Sequence, residues 1–391
     1  MDFNYSPEDE AFRKEVQAWL RENLPKGWGT DEFEEPKDDE AEFQFALAWQ
    51  KKLSTTGWVA PTWPKEYGGG GLTIMQTVVL DEEMAKVKAP RVANTIALGF
   101  VGPTILNSGT EEQKRRFVPK IITGEEIWCQ GFSEPDAGSD LASLKCRAVV
   151  DGDDYVINGQ KVWSSLAHHA DWQILIVRTD PSAPKHRGIT YLLVDMKTPG
   201  IEVRPLKQIT GSAEFNEVFY DNVRVPKSNI VGQENRGWYV AMATLGYERT
   251  GTGQGINFKQ SLADLTKLAT TTMRNGRPAI EDPAIRNKLA QCAVEIEIVI
   301  LNSYRLLSTR LKGQPPGPEA QMGKVFWSEL NQRMTELATE ILGVDVLLDK
   351  GSKVMKRWQY SFLRAKGNTI EMGTSEILRN VMGERVLGLP R

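Results

Sequence analysis

The stretch ATLGYERTGTGQG (residues 243–255) places one acidic side chain, Glu248, among predominantly small residues. Small residues let backbone, cofactor and substrate approach closely, and a carboxylate withdrawn from water is well suited to act as a general base. The alternative is a solvent-facing helix glutamate that pairs with the adjacent Arg249. The role of Glu248 therefore depends on what the rest of the chain builds around it.

Two polar motifs, FSEPDAGSD (132–140) and GQKVWSSLAHHADW (159–172), have the composition of a site for a flat aromatic cofactor. Such a ring needs hydroxyl and backbone donors along its polar edge, a glycine for close approach and an aromatic wall on one face. Ordinary turns and a tryptophan in the core are the alternative interpretation. The candidate contact residues are Ser133, Gly138, Ser139, Trp163, Ser164 and Ser165.

The composition indicates a soluble globular enzyme, because 391 residues with 40% apolar and 25% charged side chains suffice for substantial cores. The net charge of -3 and the lack of a long apolar run argue against nucleic-acid binding and against a membrane span. The sequence MDFNYSPEDEAF has no signal-peptide pattern, so a cytoplasmic location is expected. Cys129, Cys146 and Cys292 are scattered and lack metal-type spacing, which predicts a reducing compartment and no metal site.

The elements that must position these residues fall into three zones, which together predict an α+β fold. An N-terminal helical domain (1–126) is expected to contain a helix beginning after Ser6 and ending at Pro25, and helices over 41–56, 74–86, 93–107 and 110–123. A middle antiparallel β domain (127–235) is expected to contain strands over 172–178, 189–195, 201–206 and 217–225. A C-terminal four-helix bundle (236–391) is expected from helical periods over 236–270, 283–312, 319–346 and 373–387.

Five spaced motifs carry a family resemblance: GTEEQKRRFVPKIITGE, SEPDAGSD, INGQKVWSS, FNEVFYDNVRVPKSNIVGQENRGW and IEMGTSEILRNVMGERVLGLPR. With these motifs in order, the chain resembles an acyl-CoA dehydrogenase over nearly its whole length. The resemblance implies the same three-part fold, FAD as cofactor, an acyl-CoA thioester as substrate and a 2-enoyl-CoA as product. It also implies that electrons pass to an electron-transferring flavoprotein.

The resemblance assigns flavin contacts to individual positions of this chain. It places Phe132 and Ser133 against the flavin ring, Ser139 near the pyrophosphate, Trp163 on one ring face and Ser165 near N5. The adenosine side is expected at Thr374 and Glu376, within GTSE.

The catalytic base is not where many relatives carry it. In those relatives a glutamate directly precedes Gly-Thr near the C-terminus, and this chain has Met372 there, with Glu371 one residue early. A minority, including isovaleryl and long-chain types, carries the base on a bundle helix directly before an arginine, as some bacterial steroid-side-chain dehydrogenases do. Glu248, followed by Arg249, matches that pattern, so Glu248 is the predicted base and Arg249 a predicted substrate contact.

A second departure concerns the residues with which homodimeric relatives complete the neighbouring subunit's FAD site. An Arg-x-x-Phe pair is replaced by Thr272 and Asn275, and a Gln-x-x-Gly-Gly turn by Glu340 and the Gly343-Val344 pair. Arg274 and Arg277 are alternative donors if the loop slips. We therefore expect an α2β2 assembly in which a related subunit supplies the missing groups, and an ordinary homotetramer is the alternative.

Other functions of the same fold stay open at this point: a flavin-dependent oxidase or monooxygenase, or a non-catalytic partner subunit of a heteromeric dehydrogenase. The substrate is expected to be bulky or branched, since Gly131 and the relocated base would leave room for a sterol side chain or a dicarboxylic acyl group. His168 and His169 are interpreted either as the rim of the pocket or as exposed surface residues.

Overall fold

A computed structural model describes residues 5–30, 32–247, 254–314, 317–348 and 352–390. The chain divides into two compact units. The first comprises the described parts of Met1–Leu80 and Val87–Glu248, and the second comprises Asp81–Lys86 with the described parts of Arg249–Arg391. The predicted domain limits of 1–126, 127–235 and 236–391 stay a prediction.

The N-terminal part of the chain is helical, as predicted. Ser6 caps the first helix through a capping box in which Asp9 N donates to Ser6 Oγ at 3.1 Å, and Thr110 caps the fifth in the same way with Gln113. The helix expected over 93–107 is instead a π-helical turn, Ala97–Val101, followed by a short α-helix with proline in its first turn. The helices are α1 (Pro7–Asn23), α2 (Asp39–Ser54), α3 (Ile74–Lys86), α4 (Gly102–Ser108) and α5 (Glu111–Thr123).

The middle of the chain forms a sheet that has seven strands within the described residues. The strands are β1 (Trp128–Gly131), β2 (Arg147–Asp151), β3 (Asp154–Lys161), β4 (Trp172–Arg178), β5 (Ile189–Asp195), β6 (Ile201–Leu206) and β7 (Phe215–Pro226). The order is β1-β4-β2-β3-β7-β6, with β5 also paired to β4. Strands β4, β5 and β6 have the predicted bounds, whereas β1, β2 and β3 were not predicted as strands.

The sheet is antiparallel in four pairings, β2–β3, β3–β7, β4–β5 and β6–β7, as expected. It differs from the prediction because β1 and β4 run parallel, with Trp128 opposite Trp172. Parallel neighbours require a long crossover, and the connection from 132 to 171 provides it. Both polar motifs identified in the sequence lie on this crossover.

The sheet's core contains residues from one face of the central strands β4 and β5. Leu175 and Val177 of β4 and Leu192 and Val194 of β5 are fully buried in one cluster. Helix α6 (Gly237–Tyr247) follows the sheet in the same unit, and its Thr244 hydroxyl hydrogen-bonds that of Thr104 on α4 at 2.8 Å. The buried hydroxyl pair fixes α6 against the N-terminal helices.

The second unit is a helical bundle around Leu330, Ala338 and Ile285, all fully buried. Its described elements are α7 (Gln254–Thr271), a hairpin of β8 (Met273–Arg274) and β9 (Arg277–Pro278), α8 (Pro283–Leu311), α9 (Gln321–Leu342), α10 (Lys353–Asn368) and α11 (Ser375–Arg385). Helix α10 was not predicted, although Ser352 caps it by accepting from Met355 N. No helix within the described ranges is long and apolar enough to cross a membrane.

Candidate functional site

The crossover between β1 and β4 brings the two predicted cofactor motifs together. Strand β3 ends at Lys161, and Val162 N donates to the carbonyl oxygen of Ser133 at 2.9 Å. The start of FSEPDAGSD therefore lies directly against the start of VWSS. Residues separated by about thirty positions in the chain share one edge of the sheet.

Trp163 presents a broad aromatic surface at this edge. Its residue surface is 59% exposed, and its φ of 63° lies in the left-handed region that large side chains avoid. The ring has one edge-on aromatic contact, with Phe215 at 6.0 Å and 84°. The exposure of Trp163 excludes the alternative of a tryptophan that fills the core, and its role as an aromatic wall stays a prediction.

The two serines that follow Trp163 differ in environment. Ser164 is fully buried, and its backbone is paired with Asn216: Ser164 N donates to Asn216 O at 3.0 Å, and Asn216 N donates back to Ser164 O at 3.1 Å. Among the described residues, Ser164 Oγ has no hydrogen-bond partner. Ser165 is only partly buried, so its hydroxyl is the more accessible of the two.

The FSEPDAGSD loop also contains both buried and exposed residues. Phe132 is buried, with its ring edge-on to Tyr191 at 5.9 Å, and Ser133 is partly buried. Gly138 and Ser139 are exposed, and a Cβ placed on Gly138 would meet no atom of the described residues within 4 Å. Packing against the described part of the chain therefore does not require the glycine. Open space at that position fits a ligand that approaches the backbone.

A buried ion pair, which the sequence analysis missed, supports this loop. Lys161 is fully buried, and its Nζ donates to Glu134 Oε1 at 2.8 Å and to the Phe132 carbonyl oxygen at 3.0 Å. Glu134 also accepts hydrogen bonds from Lys145 N at 2.7 Å and Cys146 N at 2.9 Å. The available sequence signal was Lys161, the one lysine or arginine in the two polar motifs, together with the acidic residues of FSEPDAGSD.

The thiols near this site are not reactive groups. Burial raises the pKa of Cys146 to about 11 and that of Cys129 to about 12. Both side chains are therefore neutral thiols at physiological pH, and thiolate chemistry is absent from this edge of the sheet.

Gly131 does not provide the room that the sequence analysis assigned to it. A Cβ on Gly131 would lie 2.7 Å from the Gln173 side chain and 2.8 Å from that of Leu175. The missing side chain makes space for residues of β4, so the link between Gly131 and a bulky acyl group was wrong. His168 is exposed and hydrogen-bonds Asn216, whereas His169 stacks on Phe43 with ring centroids 3.9 Å apart.

In the bundle unit, the GTSE motif forms the start of α11. Thr374 caps this helix, with Ile377 N donating to Thr374 Oγ1 at 3.2 Å, and Glu376 lies exposed in the first turn. The pKa of Glu376 is lowered, first by its own backbone N–H and then by the Thr374 hydroxyl. The motif thus offers an ionised carboxylate at a helix N-terminus, and the predicted adenosine contact stays a prediction.

The Glu371 carboxylate is hydrogen-bonded to neighbouring side chains at the end of α10. Its two carboxylate oxygens accept hydrogen bonds from Arg364 Nη2 at 2.8 Å and Asn368 Nδ2 at 2.7 Å. Met372, which occupies the position of the base in many relatives, has a left-handed φ of 57°. Neither residue offers a free carboxylate at this turn. The predicted base Glu248 and its neighbour Arg249 lie outside the described residues.

The residues that replace the expected Arg-x-x-Phe pair and Gln-x-x-Gly-Gly turn have local structural roles. Asn275 and Gly276 both have positive φ and form the tip of the β8–β9 hairpin. Glu340 pairs with Lys288 at 2.6 Å, so its negative charge is partly neutralised within the bundle. After Gly343, the side chains of Val344 and Leu347 are 79% and 83% exposed, which leaves an apolar surface on the bundle.

Comparisons with known proteins agree over the whole chain. Family models match at residues 6–125 (acyl-CoA dehydrogenase, N-terminal domain), 129–223 (middle domain) and 235–387 (C-terminal domain). The acyl-CoA dehydrogenase IpdE1 of Mycobacterium tuberculosis (strain ATCC 25618 / H37Rv) is 39% identical over 390 residues, which cover 98% of each protein.

Two solved structures have the same fold throughout. The ChsE4-ChsE5 complex from Mycobacterium tuberculosis matches with a TM-score of 0.83 and 33% identity and covers 100% of both chains. The structure described as the Tcur3481-Tcur3483 steroid ACAD matches with a TM-score of 0.83 and 31% identity, again over 100% of both chains. Each of these two structures contains two different named proteins.

Proposed function

The chain belongs to the acyl-CoA dehydrogenase family, and from this premise we propose that it oxidises a bulky acyl-CoA thioester with FAD as its cofactor. The enzyme class, an acyl-CoA dehydrogenase, follows from matches to the three family domains and from full-length relatives. The oxidase, monooxygenase and non-catalytic alternatives are not favoured by these relatives. The cofactor, base, substrate and assembly are the parts that we propose.

The exposed Trp163 in left-handed backbone is the observation that carries the FAD assignment. A large ring held in a strained conformation and left open to solvent is costly unless a ligand covers it. The partly buried Ser165 and the open backbone at Gly138 fit the polar edge of such a ligand. When bound there, FAD would accept the β hydrogen of the substrate as hydride.

The proton step requires a carboxylate from this chain. The α C–H of a thioester is weakly acidic, so the base must be desolvated and donors must meet the developing enolate oxygen. Glu371 is occupied by Arg364 and Asn368, and Met372 cannot accept a proton. We therefore assign the α proton to Glu248, with Arg249 as a substrate contact.

We propose that the acyl group is a steroid-derived or similarly bulky group. One solved structure that matches the whole chain is described as a steroid ACAD, at 31% identity. The loss of the usual base from the 371–376 turn is consistent with a differently placed acyl chain. An electron-transferring flavoprotein as acceptor and a cytoplasmic location complete the proposal.

We further propose an assembly with a related subunit, of the α2β2 type. The bundle exposes an apolar stripe on α8, formed by Val294, Ile298 and Leu301, and the apolar pair Val344 and Leu347. Exposed apolar side chains that cluster in this way are typical of subunit interfaces. At the positions where homodimeric relatives complete the neighbouring subunit's FAD site, this chain has the tip of the β8–β9 hairpin and the Lys288–Glu340 ion pair. This favours a different subunit over a second copy of the chain as the partner.

Expression with and without a related subunit tests the proposal. The purified complex should be yellow and should reduce a dye acceptor with CoA thioesters of bulky acids, whereas the chain expressed alone should hold little FAD. Full FAD occupancy in the lone chain would refute the heteromeric assembly. A colourless complex without dehydrogenase activity would refute the assignment of FAD.

A further inference from the structure

The Lys161–Glu134 ion pair has features that stability alone does not explain. Both side chains are buried, with 0% and 7% of their surfaces exposed. Burial of two charges is costly, and an apolar pair of similar volume is often as stable. Because this pair joins the two motifs of the proposed FAD site, we looked for a functional role of the two charges.

The contacts of Lys161 point to one peptide bond. Its ammonium group donates to the carbonyl oxygen of Phe132 at 3.0 Å, while Glu134 Oε1 holds the same ammonium group at 2.8 Å. In a trans peptide the C=O and the following N–H point in opposite directions. The ammonium group consequently fixes the Ser133 N–H so that it points away from the buried pair.

The ammonium group also changes the strength of that N–H as a donor. A hydrogen bond from a charged donor to a carbonyl polarises the peptide, and in a low-dielectric environment linked hydrogen bonds strengthen one another. The Ser133 N–H is thereby both oriented and strengthened. Glu134 in turn is held by Lys145 N and Cys146 N, which tie the far end of the loop to the same ion pair.

We propose that Lys161 is a positioning residue for the flavin: with Glu134, it presets and polarises the Phe132–Ser133 peptide as a donor to the ring. The inference rests on the proposed FAD site. A stronger N–H donor stabilises the more negatively charged reduced flavin, so the pair affects the flavin's reduction potential as well as its affinity.

The test compares three variants of the full chain, each prepared with the subunit that the wild type needs. Lys161→Met removes the ammonium group. Lys161→Met combined with Glu134→Gln removes both charges, so no uncompensated charge stays buried. Lys145→Met is the matched control, because its exposed side chain pairs with Asp136 on the same loop at 3.4 Å and does not reach the Phe132 carbonyl.

Three quantities are measured: the FAD dissociation constant of the apoprotein, the midpoint potential of bound flavin at saturating FAD, and the thermal unfolding of the apoprotein. Both Lys161 variants should bind FAD roughly tenfold more weakly, because the Ser133 N–H loses the orientation and polarisation that the ammonium group provides. Their midpoint potential should be lower than that of the wild type. The control should match the wild type in all three.

The double variant decides between positioning and mere stability. If it folds like the wild type but keeps weak FAD binding and a lowered potential, the inference is supported. Recovery of wild-type affinity and potential, or failure of the double variant to fold, would overturn it in favour of a structural role. A wild-type complex that binds no FAD would instead refute the proposed function, and the inference with it.

Discussion

The β-sheet edge around Trp163 and the bundle turn around Glu371 use their polar groups in opposite ways. At the sheet edge, buried charges support a surface that stays open, with an exposed ring and a backbone that none of the described residues covers. At the bundle turn, the chain's own donors occupy both oxygens of Glu371, and Lys324 Nζ donates to the Gly373 carbonyl at 2.8 Å. The exception there is the buried hydroxyl of Ser375, which has no hydrogen-bond partner among the described residues.

This difference separates a surface that the described residues leave open from a turn whose polar groups are largely satisfied internally. Many relatives place the base at the turn that corresponds to Met372, and in this chain that turn has become a structural junction. Under the proposed function, the catalytic carboxylate comes from elsewhere in the chain.

The sharpest test of the comparison is the location of the base. Glu248→Gln should lower turnover by about 10²–10⁴-fold, the usual contribution of a general base, and should leave bound flavin in place. Glu371→Gln is the matched control, and turnover should stay within about threefold of the wild type, since that carboxylate accepts structural hydrogen bonds. Steady-state rates with a dye acceptor measure both, and a larger loss in the Glu371 variant would return the base to the bundle turn.

The exposed indole ring of Trp163 should contribute to ligand binding and not to the stability of the fold. Trp163→Gly should weaken FAD binding by roughly tenfold, since aromatic stacking contributes about 1 kcal/mol or more. The unfolding temperature of the apoprotein should not fall, because glycine relieves the left-handed backbone and thereby offsets the lost contact with Phe215. Flavin titration and thermal unfolding check the two halves, and a destabilised apoprotein with normal FAD binding would make Trp163 a structural residue.

Both units should lose stability in alkali through their buried thiols. Burial raises the pKa of Cys146 in the sheet and of Cys292 in the bundle from 9.0 to about 11. Because the folded state holds these protons more tightly than the unfolded state, their contribution is intact below about pH 9 and is lost as pH rises toward 11. Cys146→Ala and Cys292→Ala should each flatten the decline in unfolding free energy between pH 9 and 11, measured by urea titration.

If the unfolding free energy of either alanine variant declines between pH 9 and 11 as steeply as that of the wild type, another group controls alkaline stability in that unit. A thiol reagent supplies an independent check at pH 8. All three cysteines are buried, so the native protein should not react and the unfolded chain should expose all of them.

The smallest effect is expected at the bundle's exposed ion pair. Lys288→Met should change the free energy of unfolding by about 1 kcal/mol or less, because the Lys288–Glu340 pair is partly exposed and screened by solvent. The Lys161→Met variant provides the contrast within the same measurement, since it leaves a buried carboxylate without its cation. Equal effects of the two variants on urea unfolding would contradict the distinction between the buried and the exposed pair.

The sequence predicted the elements whose residues alternate or repeat clearly. Strand β4 and helix α3 were found at their predicted bounds, and the caps at Ser6 and Thr110 were readable because capping depends on residues three positions apart. Helix α10 was missed, although Ser352 provides a cap and Trp358 and Ala365 are buried in it. Strand β2 was missed because much of it is exposed, so it lacks a strong apolar pattern.

The parts of the site that depend on distant pairings were not predictable from spacing. Lys161 and Glu134 lie 27 positions apart, and only the parallel β1–β4 crossover brings them together. The motif residues themselves were identifiable, but the positive φ of Trp163 and the enclosure of Ser164 result from the pairing with Asn216. Sequence reasoning thus named candidate binding groups and could not show which of them face outward.

The buried acid–base pair also constrains how this protein can change over generations or in a selection experiment. Replacement of either partner alone leaves an opposite charge buried away from water, so single-step variants at positions 134 and 161 pass through a less stable intermediate. Libraries that vary one codon at a time are therefore expected to disfavour changes at both positions. Simultaneous randomisation of the two codons is the route by which a neutral pair, and a differently tuned cofactor loop, becomes reachable.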